Sequence, residues 1–447
     1  LQAILIACIK RISSHKGKTC STNLTAALEL GIKLFKSCVD ASVAAFFSSC
    51  VRCGICAQAC LFYTETKEPE YTPIYRLEPL RWVWHQEYTV LGRLLKITGL
   101  SRKLTHEDLA EWEALVYDSC TLCGRCSMVC PVGNDIAGML RKMREGMAAS
   151  GHAPAGLIAA TQRAVTIGSP MGVKLHALEY QIQHVENELG FAIPVDVVGA
   201  EYMLLLSSME IMNFPEFISA VAKLFRHARI SWTIAKSAFE ATNSGAQIGV
   251  SDIASMLVER IVDVAEQLKV KTVVTPECGH AYTALRWDGP NLIGRPYKFK
   301  VLHITELLNQ LRVERRLRTA GKEIRSLTYH DPCQLARYGG VIQEPRALLN
   351  MIANDFVELP ESGTMNWCCG AGGGVSSNEN ADRLRLQAFN RKKQQLDAIR
   401  PDAIVTCCST CRMAIEEAVD EYGMEVPVLG LVEMLAEHIL EKKKDRK

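Results

Sequence analysis

Two runs of cysteine carry the clearest chemistry in this chain: Cys50-x2-Cys53-x2-Cys56-x3-Cys60, and Cys120-x2-Cys123-x2-Cys126-x3-Cys130 with Pro131 behind it. Three thiols at steps of three let a tight loop wrap a cubane [4Fe–4S] cluster, while the fourth faces the neighbouring cube. The pattern assigns Cys50, Cys53, Cys56 and Cys130 to one cluster, and Cys120, Cys123, Cys126 and Cys60 to the other. Leu61 stands where a proline is expected after the first run, which affects only the local turn. Zinc is the simpler metal, but a tetrahedral zinc site built from two Cys-x2-Cys pairs leaves four of these eight thiols without a role. Two cubes close together make a wire for single electrons, and a wire needs two ends.

A second group lies downstream: Cys333, the adjacent pair Cys368-Cys369 before Gly370-Ala371-Gly372-Gly373-Gly374, and Cys408-x2-Cys411. Each piece follows an expected strand or sits in a glycine-rich loop, and loops at strand ends of open α/β sheets bind ligands. The glycines after Cys369 would let backbone amides approach a sulfide or thiolate. His330, three residues before Cys333, and His280 are candidate proton donors to a leaving thiolate. Cys278 and Cys407 are candidate ligands or reactive thiols, whereas Cys8, Cys20 and Cys38 have no partner spacing and read as structural. Inert core thiols and a structural zinc on four of the five are the competing readings of this group.

These residues sit in a chain of 447 residues, too long for one core. Thirteen of its 18 cysteines fall in the two groups, which points to metal rather than to a short secreted disulfide scaffold. The formal charge of +2 gives no argument for nucleic acid or a bare anionic membrane. No apolar run approaches the ~20 residues of a membrane span. The expectation is therefore a soluble, cytoplasmic protein.

The positioning elements change character along the sequence. Residues 1–48 read as a helical segment that could dock a partner or pack in the core. Residues 49–150 hold both cysteine runs, separated by an insertion with Trp82, Trp84 and Trp112 whose part from Tyr63 to Pro79 reads as loop. Residues 151–199 form a helical connector. Beyond it, β-type runs at Tyr202–Leu206, Thr272–Thr275, Ser326–His330 and Ala403–Thr406 alternate with helical stretches such as 253–270 and 382–399, the grammar of a mainly parallel sheet. Two α/β parts are expected, at 200–300 and 301–447. The fold class is thus multidomain α+β: an N-terminal α-helical module with two cluster loops, followed by α/β cysteine-rich domains.

In this order of motifs the chain resembles the CCG-domain proteins, above all the D-type catalytic chain of heterodisulfide reductase and the K-type chain of the Dsr complex. The resemblance covers about residues 45–435. It implies a two-cluster ferredoxin domain, then a degenerate CCG half and an intact one. It also implies that Cys333, Cys368, Cys369, Cys408 and Cys411 hold a third, noncubane [4Fe–4S] cluster that meets substrate sulfur. The upstream half has Ser207-Ser208 after its first strand and keeps only Cys278, so one such cluster is expected. The function implied is passage of single electrons through two cubanes to a cluster that reduces or forms a disulfide, with His330 as a proton source. The substrate would be a disulfide-bearing small molecule or small protein. The partner would be a cytochrome b-type membrane subunit or a flavoprotein, and the chain would sit on the inner face of the membrane through that partner. The alternative is a relay subunit of a flavin-dependent glycolate, lactate or glycerol-3-phosphate dehydrogenase.

Overall fold

The computed structural model describes residues 21–440, so Cys8, Cys20 and the first part of the leader lie outside the described residues. The chain divides into two compact units. One comprises the described residues up to Gln162 with Ser244–Ala254 and Gly370–Arg391; the other comprises Arg163–Asn243, Ser255–Cys369 and Lys392 onward.

The first unit is helical. Its leader helix Ser21–Ser37 is a packing element: Phe35 is fully buried against Gly146 of the helix Ile136–Ala149, where an added Cβ would lie 2.2 Å from the ring. The stretch expected as loop after the first cysteine run instead holds a helix, Leu61–Thr66, and two 3-10 turns, Pro69–Tyr71 and Tyr75–Leu77. Helix His106–Tyr117 starts at a reciprocal cap in which Thr105 and Asp108 satisfy each other's backbone amides, and it delivers the chain to the second cysteine run. Buried Arg144 ties the unit together. Its guanidinium donates to the carbonyls of Val116 (3.1 Å), Cys120 (2.7 Å) and Gln247 (2.7 Å), and also to that of Gly373. A buried guanidinium is tolerated when its donors are spent on acceptors in this way.

The second unit is built twice on one plan. Strands β1 (Tyr202–Leu204), β2 (Trp232–Ile234), β3 (Thr272–Thr275) and β4 (Lys300–His303) form a parallel sheet in the order β2-β1-β3-β4. Strands β5 (Glu323–His330), β6 (Ala353–Phe356), β7 (Ala403–Thr406) and β8 (Val428–Gly430) repeat it as β6-β5-β7-β8. Parallel pairing forces each crossover through other structure, so the interior strands are covered and read as apolar runs such as Thr272-Val273-Val274-Thr275. A single hydrophobic core runs through both halves, from Leu204 and Val274 to Leu327 and Val405. Register places His330 beside Thr406, so the ends of β5 and β7 open side by side. The corresponding ends of β1 and β3 lie at Leu204 and Val274–Thr275.

Candidate metal centres

The two cysteine runs of the first unit fold alike. Arg52 (φ 53°) and Gly54 (φ 79°) in the first loop match Leu122 (φ 54°) and Gly124 (φ 77°) in the second, each loop ending in one helical turn. Left-handed backbone is costly for Arg and Leu, but alternating it along a loop turns successive N–H groups inward into a nest for an anionic group. One pocket is lined by Cys50, Cys53, Cys56 and Cys130. Another is lined by Cys60, Cys120, Cys123 and Cys126. The structure thus gathers the two crossed sets that the spacing suggested.

The surroundings of the two cavities differ. Cys53 is exposed and Cys50 and Cys130 are half-buried, whereas Cys60, Cys120 and Cys126 are buried. Burial, and then the neighbouring thiols Cys50, Cys53 and Cys130, push the Cys56 thiol up to about 11. Four thiols converging in this way resist ionisation together unless a cation joins them, so the donor set fits a metal cluster. The buried cavity has a second cation of its own: Arg76 donates to Cys60 Sγ at 3.5 and 3.6 Å and to Ser119 Oγ at 3.1 Å. Burial opposes the charge on Arg76, yet Cys60 and Cys120 hold its proton more tightly than usual.

In the second unit all five downstream cysteines are buried. Cys333 follows β5 directly and its Sγ lies 3.8 Å from that of Cys368. Cys408 caps the helix Ser409–Glu421, and Cys411 stands in its first turn. A donor nitrogen of His330 and the sulfurs of Cys369 and Cys411 lie within 4.8 Å of one another. A hydrogen bond with Cys411 lowers the Cys408 thiol, helped by the amides of Cys411, Gly279 and Thr410, and the shared proton stays with Cys411. Asp331 fixes the turn by a bidentate pair with Arg346, 2.9 Å on both arms, and accepts the Gly363 amide at 2.7 Å. A soft, thiolate-rich set of this kind suits an iron–sulfur cluster or zinc.

Gly373, one of the glycines after Cys369, packs within the first unit, where an added Cβ would lie 2.7 Å from the Thr121 backbone. Amides of Cys411, Gly279 and Thr410 favour a thiolate at Cys408. His330 is fully buried with both ring nitrogens unpartnered, and burial followed by Lys392 holds it well below the ordinary imidazole range. Cys407 Sγ lies 2.6 Å from Tyr329 Oη.

Sequence reasoning misses Lys392. It is almost wholly buried, hydrogen-bonds Gln395 at 3.2 Å, and feels Asp331 and then Cys368, Cys369 and Cys411; burial brings it down to about 8. Within Arg391-Lys392-Lys393 it looks like one more solvated cation. The available signal is its helical register, three residues after Phe389 and four before Leu396.

The upstream half has no such set. Ser207 caps its helix with Glu210, Ser208 donates its amide to Glu240 at 2.6 Å, and Ser409 Oγ donates to Glu210 at 2.6 Å. Burial raises Glu210, Glu240 and Glu277 above the usual carboxyl range. Cys278 caps a helix with φ −142° and ψ 103°, nearly the backbone of Cys408 at −148° and 113°.

Residues 47–134 match the family model of a 4Fe–4S dicluster domain, and residues 327–416 match that of a cysteine-rich domain, CCG. The chain is therefore a CCG-domain iron–sulfur protein with a 4Fe–4S dicluster domain, as its cysteine motifs suggested. It is 25% identical over 459 residues to the Hdr-like menaquinol oxidoreductase iron-sulfur subunit of Archaeoglobus profundus, spanning 90% of this chain and 82% of that one. It is 26% identical over 405 residues to the D-type chain of the dihydromethanophenazine:CoB–CoM heterodisulfide reductase of Methanosarcina acetivorans, spanning 87% and 93%. To the EtfAB:quinone oxidoreductase of Syntrophomonas wolfei it is 25% identical, over 83% of this chain and 55% of that one. No helix among the described residues is long and apolar enough to cross a membrane.

Proposed function

We propose that this chain is the iron–sulfur subunit of an oxidoreductase that makes or breaks a disulfide-type sulfur bond. The observation that carries this reading is the convergence of five buried thiols on the ends of β5 and β7, with a buried ammonium among them. In this reading Cys50, Cys53, Cys56 and Cys130 hold one cubane and Cys60, Cys120, Cys123 and Cys126 the other. Cys333, Cys368, Cys369, Cys408 and Cys411 hold a third cluster, which supplies one-electron chemistry and an iron that can bind sulfur.

Reduction of a disulfide breaks one S–S bond and consumes two electrons and two protons, giving two thiols. A reduced cytochrome b-type subunit or flavoprotein would supply the electrons, entering at the exposed Cys53 end of the first loop. Protons come from water, and His330 serves as a further nitrogen donor facing Cys369 and Cys411 rather than as the acid. Lys392 offsets the negative charge that the thiolates gather in the interior.

The test is Cys369→Ser. Disulfide reduction with a viologen donor should vanish while the EPR signals of both cubanes persist; retained turnover would sink the proposal. The likeness to an EtfAB:quinone oxidoreductase favours a second reading, in which the third centre only relays electrons from a flavoprotein. In that case Cys369→Ser would stop electron transfer from the flavoprotein, and the wild type would reduce no disulfide.

A further inference from the structure

The helix Val90–Ile97, in the insertion between the cysteine runs, turns its apolar residues to solvent. At about 100° per residue, Val90, Leu91, Leu94, Leu95 and Ile97 fall on one arc about 160° wide. Ile97 is 82% exposed and Leu91 64%, and Leu100 in the following turn is 76% exposed. The opposite side holds the helix to the unit. Gly92 is buried against the His85 carbonyl, where an added Cβ would lie 1.9 Å from the oxygen, and its amide is capped by Thr89 Oγ1 at 3.0 Å. The apolar arc therefore faces outward on a helix whose attachment is fixed.

Charge identifies what covers it. From Thr89 to Thr105 the chain has four cations, Arg93, Lys96, Arg102 and Lys103, and no carboxylate. The near-neutral total of +2 averages this stretch away. Arg93 lies about 40° beyond one edge of the arc and Lys96 on the opposite side of the helix; Lys96 pairs with Glu87, and Arg102 pairs with Asp108 and lies over the Trp82 ring at 3.8 Å. Tyr88, an aromatic ring with a polar tip, is exposed just before the helix. An outward apolar stripe, a cation whose stem reaches to its rim, and an interfacial aromatic are the components of a helix lying in a lipid surface.

We propose that the segment 88–103 seats this protein directly on an anionic lipid bilayer, with Leu91, Leu94 and Ile97 entering the acyl boundary and Arg93 and Lys103 meeting headgroups. This is independent of which reaction the cysteines support, and it adds a lipid contact to any partner subunit. A bound sheet of lipid would hold the insertion between the two cysteine loops, and thus the first unit, at the membrane surface.

The test uses the full chain, prepared anaerobically, in co-sedimentation with phosphatidylcholine vesicles with and without phosphatidylglycerol. Wild type should bind the anionic vesicles, and less so at high salt. Leu91→Gln/Leu94→Gln/Ile97→Gln, all at exposed positions, should lower binding by more than about tenfold with unchanged circular dichroism. Arg93→Gln/Lys103→Gln should weaken the preference for anionic lipid. Wild type failing to bind, or the triple variant binding equally well, would overturn the proposal. So would binding only when an integral membrane protein partner is present, or a lipid-free self-association that the triple variant abolishes, since the stripe would then belong to a protein interface.

Discussion

The two halves of the second unit share a strand order and even the backbone at Cys278 and Cys408, yet they fill the same strand ends with different chemistry. In the β5–β8 half, five thiols, a neutral imidazole and a buried ammonium converge. In the β1–β4 half, serines and carboxyls close on one another through hydrogen bonds. Buried acids can satisfy themselves by keeping their protons and bonding to hydroxyls. Beside the thiols, His330 is left with two unpartnered nitrogens. The lesson is that topology supplies the place, while the side chains decide whether it needs a metal.

The sharpest way to break this comparison is Lys392→Met. Removing a buried cation should raise the melting temperature of the metal-free chain, because the ammonium spends its hydrogen bond on the neutral Gln395. In the iron-loaded protein it should move the third centre to a more negative potential and leave the two cubanes unchanged in EPR-monitored titration. An unmoved potential would reduce Lys392 to a packing residue.

A smaller effect is expected from Glu240→Gln. The folded-state carboxyls of Glu210, Glu240 and Glu277 titrate above the ordinary value, so the native state holds protons that the unfolded chain releases. Stability is therefore greatest below about pH 4.5 on their account and falls as pH rises through their raised range. Glu240→Gln should flatten that fall and be more stable than wild type at pH 8, measured by thermal melts at pH 5 and 8. The least effect is expected from Cys278→Ala: iron content and EPR should not change. A loss of iron would mean that the upstream half still contributes a ligand.

Much of this was legible. The four strands read from the sequence are the four interior ones, β1, β3, β5 and β7. The unread strands β2, β4, β6 and β8 are all edges, short and, in Ala353-Asn354-Asp355-Phe356, half polar. Interior parallel strands are apolar along their length, and edges carry no comparable pattern. Cysteine spacing anticipated which thiols meet because a loop of fixed length leaves few ways to wrap a cube. Lys392 and Arg76 escaped because a cation's burial depends on what packs over it.

The most direct measurement is iron and acid-labile sulfide per chain on anaerobically purified protein, with EPR of oxidised and reduced samples with and without a thiol. About twelve irons, and a signal beyond the two cubanes that the thiol perturbs, is the predicted result. About eight irons with no thiol-sensitive signal, or zinc at the Cys333, Cys368, Cys369, Cys408 and Cys411 site, would contradict the account.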